Sequence, residues 1–342
     1  MTDLFKLSLS PLIISRTPFR ISFFGGGTDY PEWYREHGGA VLATTIDKYC
    51  YISVRELPPF FDHKFRVVYS IVENVREIRE IQHPAVRGVL EFLKVDKGLE
   101  IHHDGDLPAR SGLGSSSAFT VGLINAVHAL NGRYVSKDAL ASEAIHVEQC
   151  VLQERVGLQD QVSAAFGGFN HISVAANGAY SVHPMVLPRE RLELLQEHLL
   201  LVFTGISRTA AEVAQTFVGN LKNKAADMQT IQEMVEEAIT ILSSPAADLA
   251  DFGALLKQSW ALKRSLSDRV SNATVDNLYD TALRAGALGG KLLGAGGGGF
   301  MLLFVKPEHR ARVAASLGNL IRVPFRFEMS GGRIALYQPD GL

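Results

Sequence analysis

Residues 107–120 read LPARSGLGSSSAFT and run without a break into the apolar segment VGLINAVHAL. No other stretch constrains the fold as tightly. Gly112 and Gly114 stand immediately ahead of three serines and of a helix that is apolar on nearly every side, so the helix has to be buried from its start. Glycine permits positive φ and lets the backbone approach a ligand closely. The free N–H groups of a first helical turn then point at that ligand, with the positive end of the helix dipole behind them. A serine N-cap explains one serine and one glycine, but not three serines in a row. The run Arg110, Ser111, Gly112, Leu113, Gly114, Ser115, Ser116 and Ser117 therefore reads as a phosphate cradle. It lacks the lysine of the Walker pattern and the βαβ setting of a dinucleotide fingerprint.

Two further glycine-rich stretches frame it. RTPFRISFFGGGTDYP, residues 16–31, reads as a strand ending in a glycine turn. Arg20 and Asp29 are expected at the sheet edge beside Gly26, Gly27 and Thr28, facing a small polar ligand. A carboxylate there would accept from hydroxyls, and the guanidinium would meet an anionic oxygen. KLLGAGGGGFMLLFV, residues 291–305, places five glycines in the six positions 294–299 between two apolar strands. A hairpin needs two or three loop residues. The surplus implies close packing against a ligand or another backbone, and the two roles can coexist.

Carboxylates complete the constellation. In ALASEAIHVEQCVLQERVGLQDQ, the spacing puts Ala141, Ile145, Glu148 and Leu152 on one helical face. Glu148 is thus expected within or beside an apolar stripe, where it needs a basic partner or a metal. Next to a phosphate cradle, Mg²⁺ is the better reading, because Mg²⁺ is commonly held by one or two carboxylates plus waters and phosphates. Asp160 follows Gly157 and is suited to accept a proton from an attacking hydroxyl or to orient it.

Composition excludes several alternatives. The net charge is −2 over 342 residues, so no global field attracts nucleic acid or an anionic membrane. No run reaches the roughly 18 apolar residues of a membrane span, and the N-terminus is a poor signal peptide. Cys50 and Cys150 form no C-x-x-C pair, which fits two structural thiols in a reducing, cytoplasmic setting. Strand-rich segments come first, then helices, then a β-turn-β and βαβ-like end. That order predicts two α+β domains, 1–190 and 191–342, rather than a doubly wound sheet. Ser136 is expected to cap a helix running to Gly157, and Asn177-Gly178 to turn a hairpin.

The motifs PFRISFFGGGTD, LPARSGLGSSSA and KLLGAGGGGF, in this order and spacing, resemble the three motifs of the GHMP kinase superfamily across nearly the whole chain. The resemblance implies an N-terminal domain like ribosomal protein S5 domain 2, a ferredoxin-like C-terminal domain, and ATP and substrate bound between them. It implies that residues 110–117 hold the ATP phosphates and that Ser116 joins Glu148 on Mg²⁺. Asp160 in LQDQ would be the catalytic aspartate, with Arg20 near the attacking hydroxyl. The third motif, with Gly296 and Gly297, would shape the substrate side and support the phosphate loop. The stretches FFGGGTDYPEWY, TTIDKY (with Asp47) and FTGISRTA (with Arg208) are similar to the branch that holds bacterial D-glycero-D-manno-heptose 7-phosphate kinases and fucokinase domains. That branch implies phosphorylation of an anomeric hydroxyl on a small-molecule sugar phosphate, or on an unphosphorylated sugar such as fucose. Arg208 is the candidate clamp for a distal sugar phosphate, and residues 60–70 the candidate seat for the adenine. Arg110 stands where many relatives have a small residue. A homodimer is compatible with the sequence and not required by it.

Overall fold

The computed structural model describes residues 11–58, 60–206, 219 and 224–340. It is built on a nine-stranded mixed sheet and a four-stranded antiparallel sheet, joined by a shared apolar seam. The first sheet centres on strands β1 (Leu12–Phe24) and β2 (Gly39–Glu56), paired antiparallel over most of their length. Alternating burial over the first residues of β1 gives way to continuous burial, so its far end is covered on both faces. Pro18 lacks the N–H needed to continue a ladder. Opposite it the register jumps, with Pro18 facing Tyr49 and Phe19 facing Ile46, which leaves Asp47 and Lys48 bulged out of β2.

On its other edge β2 takes β6 (Phe169–Val174) along its first half and β5 (Leu99–Gly105) along its second. Strands β3 (Phe65–Val68) and β4 (Val72–Val75) extend the sheet beyond β5, and β7 (Tyr180–Pro184) pairs with β6. The β6–β7 turn carries Asn177-Gly178 as expected, with Asn177 Oδ1 accepting from Ala179 N at 2.9 Å. Helices α3 (Ser115–Leu130) and α5 (Gln159–Phe166) pack on this sheet. Helix α3 is buried from Ser117 through most of its length, as its apolar sequence requires.

The second sheet has the order β11 (Arg322–Val323), β8 (Leu199–Phe203), β10 (Phe300–Val305), β9 (Ala287–Leu292). Counted in chain order this is 4-1-3-2, the antiparallel arrangement of a ferredoxin-like domain. Helix Leu249–Ser265 lies against β9, and Ala273–Arg284 also contacts that strand. Asp248 caps the first of these helices, its carboxylate accepting from Ala250 N at 2.8 Å. A run of aromatic rings crosses from one sheet to the other. Phe23 and Phe24 of β1 meet Phe252 at 5.6 and 5.1 Å, and Phe252 meets Phe304 of β10 at 5.7 Å. Each such pair contributes about 0.5–1.5 kcal/mol beyond its buried area.

A division of the chain at residue 190 does not match the sheets. Strands β12 (Phe327–Glu328) and β13 (Arg333–Gln338) return to the first sheet, β12 on β2 and β13 on β1. The C-terminal segment thus completes the domain that the N-terminal segment begins. The two cysteines are free, Cys50 buried and Cys150 exposed.

Candidate active site

The end of β1, the 110–114 loop, the start of α5 and the glycine loop between β9 and β10 converge on one point. Gly114 adopts a left-handed conformation and α3 begins at Ser115. The Ala118 N–H is taken by the Gly114 carbonyl at 2.9 Å. The N–H groups ahead of it have no acceptor within the helix and face outward. Ser115 Oγ accepts from Arg110 N at 3.2 Å, which folds the loop back on the helix start. Arg110 itself is exposed and holds a positive φ of 58°.

The third glycine stretch supports this loop from behind. A Cβ on Gly112 would stand 2.4 Å from the Leu293 carbonyl oxygen, and one on Gly294 would stand 2.4 Å from the Gly112 Cα. No side chain fits at either position, so the two backbones touch. Phe300 N donates to Ser111 O at 3.1 Å and pins the same contact. The surplus of glycine in 294–299 is thus backbone packing between loops. Gly296 and Gly297 were expected on the substrate side. The structure turns them instead toward the 267–272 turn, where Gly297 N donates to Val270 O and its carbonyl accepts from Asn272.

Arg20 and Asp160 meet as a two-pronged ion pair. Nε and Nη2 of the guanidinium bind the two carboxylate oxygens at 2.7 and 2.8 Å, and Nη1 binds the Gly112 carbonyl at 2.6 Å. The Arg20 backbone N–H also holds Leu113 O at 3.0 Å. A single arginine therefore fixes both the 110–114 loop and the aspartate. Its side chain is 6% exposed against 26% for Asp160, so the carboxylate edge faces the cleft. An ionised carboxylate keeps lone pairs beyond those given to the arginine.

Asp29 and Thr28 depart from expectation. Asp29 has no exposed surface, and its oxygens accept from Gly27 N, Gln159 N and Gln159 Nε2 at 3.0–3.1 Å. A Cβ on Gly157 would overlap its carboxylate. Burial, and secondarily the Asp160 charge, push its carboxyl above the usual range even though these N–H donors oppose the shift. Thr28 is equally buried, with Oγ1 at 2.8 Å from the Gly25 and Ala40 carbonyls. Both side chains brace the turn that aims Arg20 and the start of α5, and neither turns a polar group outward.

Glu148 lies in a π-helical turn, Val147–Val151, that follows α4 (Lys137–His146) and ends the helix well before Gly157. The extra residue in a π turn re-aims a side chain. Ser136 caps α4 as expected. The Glu148 carboxylate is 1% exposed, as its place in the apolar stripe predicts. Oε2 accepts from Ser117 Oγ at 2.9 Å and from Gln161 Nε2 at 2.5 Å, while Oε1 is buried without a partner among the described residues. Burial raises the carboxyl to about 7, against the opposing bond from Ser117. The serine in contact with it is thus Ser117; Ser116 is exposed on the first turn. Among the described residues no three His, Cys, Asp or Glu side chains group as a metal cluster. The donor set here suits Mg²⁺ in its other mode, with one orphaned carboxylate oxygen beside a phosphate cradle.

One sequence candidate falls elsewhere. Asp47 sits in the β2 bulge created by Pro18, where its carboxylate accepts from Arg326 N at 2.7 Å and neighbours Lys48. It ties down the C-terminal segment and is not brought to Arg20 and Asp160. Arg208 lies outside the described residues. Of residues 60–70, Tyr69 reaches toward the loop: it contacts the His83 ring, which stacks at 4.8 Å on Phe119 one turn into α3.

Sequence reasoning missed two lysines. Lys263, in the last turn of helix Leu249–Ser265, donates to Gly294 O at 2.5 Å. Burial, and secondarily the Arg20 guanidinium, lower it to about 8, while Asp160 and Asp29 pull the other way. Lys291 of β9 is 4% exposed and donates to Phe23 O at 2.8 Å. Burial drives its ammonium well below the usual range, with Lys263 and Arg20 adding to the effect. Lys263 belongs to no glycine motif, and Lys291 opens the third one with nothing in its neighbours to mark its burial, so only the fold discloses them.

Residues 71–168 match the family model described as GHMP kinases N terminal domain, and residues 235–321 match GHMP kinases C terminal. The chain is 31% identical over 317 residues to the D-glycero-alpha-D-manno-heptose 7-phosphate kinase of Campylobacter jejuni, covering 89% of this chain and 93% of that one. It is 26% identical to a galactokinase of Chloroflexus aurantiacus, covering 87% and 85%. Among solved structures, a D-glycero-D-manno-heptose 1-phosphate kinase from Bacteroides thetaiotaomicron superposes with a TM-score of 0.77 at 24% identity, over 94% of this chain and 98% of that one.

Proposed function

The chain belongs to the GHMP kinase family, and on that premise we propose that it transfers the γ-phosphoryl group of ATP to the anomeric hydroxyl of D-glycero-D-manno-heptose 7-phosphate, giving the 1,7-bisphosphate. The observation that carries the reaction type is the Arg20–Asp160 pair, held at the mouth of the 110–117 loop by the same guanidinium that binds the loop. The substrate rests on the likeness to the Campylobacter enzyme along nearly its whole length.

The residues divide the work as phosphoryl transfer requires, by positioning and charge stabilisation more than by covalent chemistry. The N–H groups at the start of α3 and the serine hydroxyls receive the ATP phosphates. Glu148 and the Ser117 hydroxyl bound to it would hold Mg²⁺, which when bound offsets charge on the phosphate oxygens. Asp160 accepts the proton of the sugar hydroxyl, and Arg20 keeps its carboxylate in place. Tyr69 and His83, both partly exposed, offer ring faces near the loop for the adenine. ATP as donor and two free thiols fit action in the cytoplasm. Among the described residues no helix is long and apolar enough to cross a membrane. The product suits a route to nucleotide-activated heptose for surface glycans.

A coupled ADP-release assay over heptose 7-phosphate, fucose and galactose tests the reading. The expected result is a kcat/KM at least about 100-fold higher for the phosphorylated heptose, because a site built for a charged group rejects an analogue without it. Equal or better turnover of fucose would reassign the enzyme to an unphosphorylated sugar. No release with any sugar would leave a ligand-binding member of the family.

A further inference from the structure

We propose that Lys263 is a further catalytic residue, its ammonium group taking a non-bridging oxygen of the phosphoryl group as that group passes from ATP to the sugar. The inference rests on the kinase reading above. It starts from how the nearby donors are spent. Three of the five N–H groups of Arg20 are committed to Asp160 and the Gly112 carbonyl. Arg20 therefore organises the site, and with its side chain 6% exposed its two remaining N–H groups have little access to a phosphate. Lys263 has three N–H donors on one nitrogen and gives one of them to Gly294 O among the described residues.

The position of that bond locates the ammonium. Gly294 lies on Gly112, inside the phosphate loop, and Gly112 O holds Arg20. Lys263 thus stands at the junction of the loop, the arginine and the aspartate, on the face contributed by the second domain. Arg20, Asp160 and Asp29 all act on its charge. Lys291 lies deeper, almost fully buried, whereas Lys263 is half-buried.

Charge balance points the same way. Burial favours the neutral forms of both Asp29 and Lys291, which leaves two cations, Arg20 and Lys263, against the one carboxylate of Asp160. A surplus of positive charge in a water-poor site is costly unless an anion completes it. The anion at this place is the group in transfer. A phosphate on the far carbon of a seven-carbon sugar would lie at the opposite end of the acceptor from the hydroxyl at Asp160.

In the step itself the sugar oxygen bonds to the γ-phosphorus while the bond from that phosphorus to the β,γ-bridging oxygen breaks. The electron pair of the broken bond leaves on ADP, and the hydroxyl proton goes to Asp160. Lys263 forms no covalent bond. It offsets charge on the equatorial oxygens, where preorganised donors have most effect.

The test uses the full-length enzyme with ATP, Mg²⁺ and the sugar phosphate on which wild type turns over. Lys263→Met is expected to lower kcat by about 100-fold, with both KM values within about threefold of wild type. Binding of a fluorescent ATP analogue should persist, which shows that the variant is folded. Lys263→Arg is expected to recover most of the rate. Since wild-type kcat/KM should fall above about pH 8 as Lys263 of the free enzyme loses its proton, the arginine variant should carry its alkaline limb at least about one pH unit higher. The groups facing Lys263 are Arg20 from β1, Asp29 from the turn after it, Asp160 from α5 and Lys291 from β9, and all are retained in both variants. An unchanged kcat in Lys263→Met would overturn the proposal, as would an arginine variant no better than methionine or an unmoved alkaline limb. A raised KM for the sugar phosphate with kcat intact would reassign Lys263 to the acceptor's own phosphate and overturn the proposal equally. Failure of wild type to release ADP would instead overturn the kinase reading.

Discussion

Glu148→Gln should make the free protein more resistant to alkaline destabilisation while abolishing its activity. In the fold the carboxyl is raised from about 4.5 to about 7, chiefly by burial. That displacement corresponds to about 3 kcal/mol, at about 1.4 kcal/mol per pH unit. Between these two values the unfolded chain has released the proton and the folded protein has kept it. The folded state then binds more protons, so stability falls as pH rises and the loss is complete above pH 7. Glutamine has the same shape and nothing to ionise. Urea unfolding of both proteins at pH 5 and pH 8, with EDTA and without nucleotide, should show wild type losing about 2–3 kcal/mol more than the variant over that interval. Comparing slopes removes any pH-independent cost of the new amide at the orphaned Oε1 position. Glu154 adds to the shift through its charge and is unaltered in both proteins. Stability curves that run parallel to within about 0.5 kcal/mol would refute the claim that this carboxylate is held at a cost. A confirmed cost would have a chemical reading: a site that penalises a free carboxylate is a site that favours a cation beside it.

Two other outcomes follow from the geometry. Asp160→Asn should reduce kcat by about 10²–10⁴-fold while single-site ATP binding survives, because the phosphate loop keeps its Arg20 bond to Gly112 O; loss of ATP binding would sink the assigned role. Gly294→Ala places a Cβ 2.4 Å from Gly112 Cα at a positive φ of 73°, so the denaturation midpoint should reveal a loss of about 2–4 kcal/mol together with a raised KM for ATP. A variant with wild-type values for both would show that the loops are not pressed together as described.

What could be read from the sequence was whatever local chemistry decides. The 110–117 loop and α3 were legible because glycines, serines and an all-round apolar helix permit few arrangements. Glu148 was legible as a buried carboxylate because helical spacing places it on the face of Ala141, Ile145 and Leu152, and the π turn kept it buried. Direction was harder to read than presence. Thr28 and Asp29 have the residue types of a sugar site, yet a polar side chain after a glycine turn can face inward as readily as outward. Here Gly157 and Gln159 close over Asp29 from 130 positions along the chain. The third glycine stretch allowed both ligand and backbone as its partner, and the contact between Gly112 and Gly294 decides for backbone.

Non-local pairing lay beyond reach for a physical reason. Nothing in RIALYQ says that β13 will join β1 and not the sheet beside it, since an alternating strand fits either edge. The same limit hid the lysines. Lysine by type belongs on the surface, and Lys263 sits in a helix end where a basic residue is ordinary. Its meaning arises only when the Phe23–Phe252–Phe304 seam presses that helix against β1. The seam then brings an ammonium group from one domain to the ion pair of the other. The active site is therefore a product of domain packing, and a substitution at Phe252 that loosened the seam would disturb the placement of Lys263 without touching any residue of the three glycine motifs.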